Sequence, residues 1–100
     1  MIFITQLIYI LPGQEAVFDE FEAIAIPLIS KYRGQLLFRV RPAKETYIEK
    51  NIEPPYEIHL VQFSTEEDFT HFMQDEERKL FLHLKEQSIQ SVWLLKGTRL

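Results

Sequence analysis

The side chains able to do chemistry are few in this 100-residue chain, and their spacing is rarely that of a reaction centre. His59, His71 and His83 stand twelve residues apart and match no metal-ligand signature. Glu67, His71 and Asp75 recur every four residues and would line one helix face. No second ligand cluster accompanies them, so a solvated charged face is expected and no metal site. His59 lies mid-run in EIHLVQF, between Ile58 and Leu60. An imidazole there is a candidate general base or ligand-fixing group, because small shifts carry its pKa across neutrality. A histidine with its nitrogens satisfied in the interior or at an interface is the commoner arrangement. Gln6 interrupts an otherwise apolar strand face, so its amide must either find local partners or line a polar cavity. Arg39 and Arg41 alternate on one face of their strand and could each grip a carboxylate through two parallel hydrogen bonds. Pairing with Glu57 across a dimer, or plain solvation, accounts for them equally, and the structural reading is preferred. Tyr47 and Tyr56 flank a connection able to lid a pocket, although packing is the ordinary role of such rings.

Other chemistries lack their residues. Three glycines form no phosphate-binding loop, there is no nucleophile elbow, and nothing sets a serine beside a histidine as a catalytic pair. With no cysteine there is neither thiolate chemistry nor a disulfide, so packing alone must hold the fold. A net charge of −4 argues against nucleic acid or an anionic membrane surface as partner. The opening apolar run is too short to span a bilayer and lacks the positive flank and cleavage site of a signal peptide. The expected setting is the cytoplasm. Apolar residues at 46% and charged residues at 26% are those of a globular protein, and the length suits one domain over 1–100.

The elements that must position these residues follow from periodicity. IFITQLIYIL, residues 2–11, alternates as a strand, with Ile2, Ile4, Ile8 and Ile10 on one face and Phe3, Leu7, Tyr9 and Leu11 on the other. Pro12-Gly13 ends it. In QEAVFDEFEAIAIPLISKYRG the period becomes helical, with Val17, Phe18, Phe21, Ile24, Ala25, Leu28, Ile29 and Tyr32 as the apolar stripe and Ile26 off it. Pro27 should kink this helix, and Gly34 is expected to supply its left-handed stop. QLLFRVRP is a second strand, with Leu36, Phe38 and Val40 on one face and Leu37, Arg39 and Arg41 on the other. Pro42 marks it as an edge. Residues 43–55 form a long polar connection, with a short extended piece around Thr46 to Glu49. YEIHLVQF is a third strand. Ser64 and Thr65, each three residues before an acid, make overlapping capping boxes for TEEDFTHFMQ, which turns Phe69, Phe72 and Met73 inward. Asp75 re-caps the chain for EERKLFLHLKEQ, with Leu80, Phe81 and Leu84 on its apolar side. SIQSVWLLKG is the fourth strand.

The order β-α-β-β-α-β predicts an α+β, ferredoxin-like domain with a four-stranded antiparallel sheet and both helices on one sheet face. A strand with two apolar faces then needs a second cover. A copy of the same chain, packed sheet to sheet in a homodimer, is the expected one. Partial cover by the long loop and the C-terminal tail is the alternative.

Three passages, ILPGQEAVFDEFE, ISKYRGQLLFRVRP and YEIHLVQFSTEEDFTHFMQDEERKLFLHL, span nearly the whole chain and resemble the dimeric α/β-barrel superfamily. That group includes antibiotic-biosynthesis monooxygenase domains, EthD-like proteins, haem-degrading monooxygenases and several families without assigned activity. The resemblance implies a small-molecule pocket between helices and sheet in each protomer, with Gln6, Arg39, Tyr56, His59, Phe63, Phe72 and His83 as candidate ligand contacts. Its haem-degrading branch uses an Asn on the first strand, a Trp at the end of the third and a His on the second helix. By position Gln6, Phe63 and His83 stand there, two of the three residue types differ, and haem is implied only through His83. Three readings are therefore carried forward. The first is a homodimer binding a small organic or carboxylate-bearing ligand. The second is an oxygenase-like enzyme, cofactor-free or haem-dependent, with His59, His83 and Gln6 as candidate catalytic residues. The third is a dimerisation module without a ligand.

Overall fold

Alternating apolar residues set four strands, and the helical stripes between them cover one side of the sheet. A computed structural model describes residues 1–100. Strand β1 runs Ile2–Ile10, helix α1 Glu15–Leu28, strand β2 Gly34–Val40 and strand β3 Glu57–Phe63. Helices α2 (Glu66–Met73), α3 (Glu76–Leu80) and α4 (Leu82–Ser88) precede strand β4, Ile89–Gly97. The sheet order is β2-β3-β1-β4 with every neighbouring pair antiparallel. This is the ferredoxin-like arrangement, with β1 and β3 central and β2 at an edge, where Pro42 costs no ladder bond.

Ile4 of β1 and Val61 and Phe63 of β3 form the main core with Ile29, Phe69 and Phe72. A second cluster, Phe21, Ala25 and Leu84, joins α1 to α4. Ile26, off the expected stripe, packs against the main core as well. The opposite sheet face keeps its apolar side chains uncovered within the chain. Trp93 and Leu95 there are each 52% exposed, and Phe38 and Val40 nearly as much.

Several local expectations are corrected. A bulge at Leu37 shifts the register, so that Leu36 stands opposite Val61 but Phe38 stands opposite Leu60. Leu36 therefore does not share a face with Phe38 and Val40. The extra residue sends Phe38 and Val40 outward and keeps Leu36 and Arg39 on the helix side. Arg33, not Gly34, takes the left-handed conformation (φ 61°) that ends the first helical segment. Gly34 is needed for a different reason: a Cβ there would lie 2.6 Å from Phe63 Cε1. Pro27 sits in the last turn of α1, after which the chain tightens into a 3₁₀ turn, Ile29–Tyr32. A 3₁₀ turn at Lys44–Thr46 overlaps the extended piece expected around Thr46 to Glu49 at Thr46 alone, and Tyr47 after it is extended. Thr65 accepts from the Asp68 amide (3.1 Å) and caps α2, whereas the Ser64 hydroxyl donates to the Arg33 carbonyl. Asp75 caps α3 as expected, at 2.9 Å from the Arg78 amide. Leu80 is exposed rather than on the apolar side.

Candidate functional site

The helix side of the sheet is not filled everywhere. A cavity of about 120 Å³ lies between β1, β3 and β4 below and the helices above. Its walls are mainly apolar, Phe21, Phe63, Phe69, Phe72, Val61 and Leu94 among them, and five polar side chains reach it. Gln6 of β1 and His59 of β3, register partners on neighbouring strands, belong to the sheet floor. Glu22 of α1, Arg78 of α3 and Lys85 of α4 come from the helices.

Behind His59 is a closed ionic cluster. Glu57 is wholly buried two residues earlier on the same strand face, and one of its oxygens meets His59 Nε2. Arg39 Nε donates to that oxygen at 2.6 Å, and Arg41 Nε donates to the other at 2.6 Å. Both arginines also reach Asp19 on α1. The bulge at Leu37 makes this possible, because without it Arg39 would point away from the helices. Burial by itself pushes the Glu57 carboxyl up, but the hydrogen bonds from His59, Arg39 and Arg41 outweigh it and hold its pKa at about 2. A carboxylate on Nε2 keeps the proton of His59 on that nitrogen.

The helix-borne charges are held differently. Glu22 is buried without a hydrogen-bond partner, and burial raises its pKa despite the opposing fields of His59 and Arg39. Arg78, 6% exposed, lies over the rings of Phe21 (5.8 Å) and Phe72 (5.4 Å). Its Nη1 donates to the Met73 carbonyl at 3.2 Å, while its Nε has no partner. Burial lowers the pKa of Arg78, and it lowers that of Lys85 with help from the nearby Arg78 charge. Mixed signs therefore gather around an apolar hollow, the usual composition of a small-molecule site.

Known structures share this architecture. A protein of unknown function from Rhodopseudomonas palustris superposes with a TM-score of 0.82 at 10% identity, over 99% of this chain and 82% of that one. A dimeric protein of unknown function and ferredoxin-like fold from Bacteroides fragilis gives 0.70 at 12% identity, over 96% and 93%. A candidate antibiotic biosynthesis monooxygenase from Bacteroides thetaiotaomicron gives 0.71 at 17% identity, over 100% and 89%. No family model and no curated protein matches the sequence. The likeness is one of fold. It agrees with the ferredoxin-like fold expected from the sequence.

Of the residues singled out from sequence, Gln6, His59, Phe63 and Phe72 meet at the cavity. Arg39 does not line it and binds Glu57 within its own chain, where a contact across a dimer was one expectation. Tyr56 packs edge-on against Phe18 (5.8 Å) and under Arg41 (4.9 Å), beside a separate polar groove. His83 is exposed near Phe81 and lines no part of the cavity. Glu67, His71 and Asp75 do not make one face, because Asp75 is buried against Tyr32 and Lys31 while Glu67 and His71 are exposed.

Glu22, Arg78 and Lys85 escaped the sequence reading. A signal existed for Glu22, which falls four residues after Phe18 and three before Ala25, on the buried stripe itself. Arg78 and Lys85 sit seven residues apart across a break between two short helices, and that break hides their common face.

Proposed function

We propose that the protein is a small homodimer of the cytoplasm, each protomer holding one small organic molecule in the cavity between helices and sheet. The cavity carries this reading: apolar walls surround polar groups that converge from strands and helices and are only partly satisfied by one another. The uncovered sheet face supports the dimer, since Phe38 and Val40 on one outer strand and Trp93 and Leu95 on the other leave large apolar side chains exposed, as faces that seek a partner do. Native mass spectrometry on protein purified without added ligand tests both halves. A mass of two chains plus a reproducible small adduct is expected. A clean monomer would overturn the dimer, and a dimer that takes up no small apolar probe would overturn the cavity reading.

Haem does not fit this cavity. About 120 Å³ is well below the roughly 300 Å³ at the lower end of drug-sized pockets, and His83, the residue placed as axial ligand, lies outside it. The enzymatic alternative is therefore a cofactor-free one and draws on His59, whose Glu57 partner fixes its proton beside a sheltered apolar space. Oxygen uptake with hydroquinones as probes, lost in His59→Asn, is its expected signature. No uptake above the buffer rate would exclude it for that substrate class. The ligand-free dimerisation module loses ground to the cavity itself, which such a module has no use for.

A further inference from the structure

We infer that Arg78, with Lys85 beside it, is the seat for the carboxylate of a small apolar acid, and that Gln6 and His59 on the sheet receive a second polar group of the same molecule. The inference rests on the cavity reading and adds the ligand's charge and polarity.

Arg78 carries most of the argument. Its guanidinium is withdrawn from water, held between aromatic rings, and makes one hydrogen bond to a backbone carbonyl. A buried arginine is ordinarily matched by a carboxylate in a two-pronged contact, because an unpaired buried charge is destabilising. Here no carboxylate lies within ion-pair distance, and Nε is buried without a partner in a side chain that lines the cavity. Glu22 first and then Asp75 favour the charged guanidinium, but Glu22 makes no hydrogen bond to it, and the Asp75 oxygens are already taken by the Arg78 amide and by Tyr32 and Lys31. Lys85 likewise makes no ion pair, so two cations reach the cavity against one acidic side chain there, Glu22, which hydrogen-bonds to neither.

Glu22 is the only acidic side chain among them. Burial raises its pKa against the lowering fields of His59, Arg39 and Arg78, so its charge is disfavoured relative to an exposed carboxylate. The rest of the space sets size and shape. At about 120 Å³ it is close to the roughly 150 Å³ cavity that holds benzene, which admits one ring or a short branched chain. Across from Arg78, the Gln6 amide offers both a donor and an acceptor. A hydroxyl or carbonyl at the far end of the acid would meet it.

Calorimetric titration of the intact protein at pH 7 separates the possibilities. The probes are two matched pairs, benzoate with benzamide and isobutyrate with isobutyramide, each pair alike in shape and different in charge. The acids are expected to bind at least about tenfold more tightly than their amides, the usual worth of a charge-assisted contact. Lys85→Gln, at a half-buried position, and Arg78→Lys, which keeps the charge but not the fork, should each weaken acid binding more than amide binding and so shrink the acid-over-amide ratio. Acids and amides binding equally would leave the cavity reading standing and overturn the carboxylate seat. If no probe of either kind binds, both fall.

Discussion

Replacing Glu57 by glutamine removes the charge on which Arg39, Arg41 and His59 converge. Folding brings the carboxyl from its ordinary pKa of 4.5 to about 2, so the folded chain holds this proton more weakly than the unfolded one. The resulting stabilisation is fully present above about pH 4.5 and is lost as the pH falls toward 2. The separation between 4.5 and 2 corresponds to a ceiling of about 3 kcal/mol at neutral pH. Arg39 and Arg41 are 30% and 43% exposed, so water screens their end of the cluster, and about 2 kcal/mol is the expected net value. Urea denaturation of wild type and Glu57→Gln at one fixed protein concentration measures it. The gap should be about 2 kcal/mol at pH 7 and below about 1 kcal/mol at pH 3. A gap that is absent at neutral pH, or unchanged between the two pH values, would refute an ionised Glu57 as the anchor of β2.

Gly34→Ala would set a methyl group 2.6 Å from Phe63 Cε1 and 2.7 Å from Ile29 Cγ2, both buried, and should destabilise by about 1–3 kcal/mol. An unchanged melting temperature would contradict that close approach. Asp75→Ala removes the acceptor of the Arg78 amide, so that amide should exchange faster with solvent while the amides of β1 and β3 keep their protection. Retained protection at Arg78 would mean that the cap is dispensable. Trp93→Glu places a charge on the uncovered sheet face, and sedimentation should show single chains with unchanged secondary structure. Persistence of a dimer would move the proposed interface elsewhere.

The sheet order was legible because β1 advertises it: two apolar faces and a Pro-Gly stop admit few alternatives, and Pro42 assigns an edge. Asp75 was legible as a cap for the same local reason. What periodicity could not show is where it breaks. In QLLFRVRP the alternation is regular, yet the bulge at Leu37 inverts it, and nothing in those residues distinguishes a bulged strand from a straight one. The bulge decides where Arg39 goes, so the Glu57 cluster was anticipated only as a contact between chains. Arg33 escaped for a comparable reason: Gly34 is the better left-handed residue by itself, but Phe63 needs the space a side chain would fill. The cavity residues were half visible. Gln6 and His59 stand out as polar residues on apolar strands, whereas Glu22, Arg78 and Lys85 pass for the charged residues that every surface helix carries.

Two groups of buried charge flank His59, and their different satisfaction separates support from site. Around Glu57 the donors reach both of its oxygens, and Asp19 balances the arginines from outside. Such a cluster fixes β2 against β3 and α1 and holds one nitrogen of His59 in place. Around the cavity the reverse holds. Glu22 has no hydrogen bond, Arg78 keeps an unused donor, and Lys85 makes no ion pair, although each loses hydration by lying there. A core built only for stability would replace these three by apolar side chains of similar volume, at little cost or with a gain. The ligand proposed for this hollow lined by phenylalanines would supply the missing partners, and His59 is the one residue that belongs to both groups.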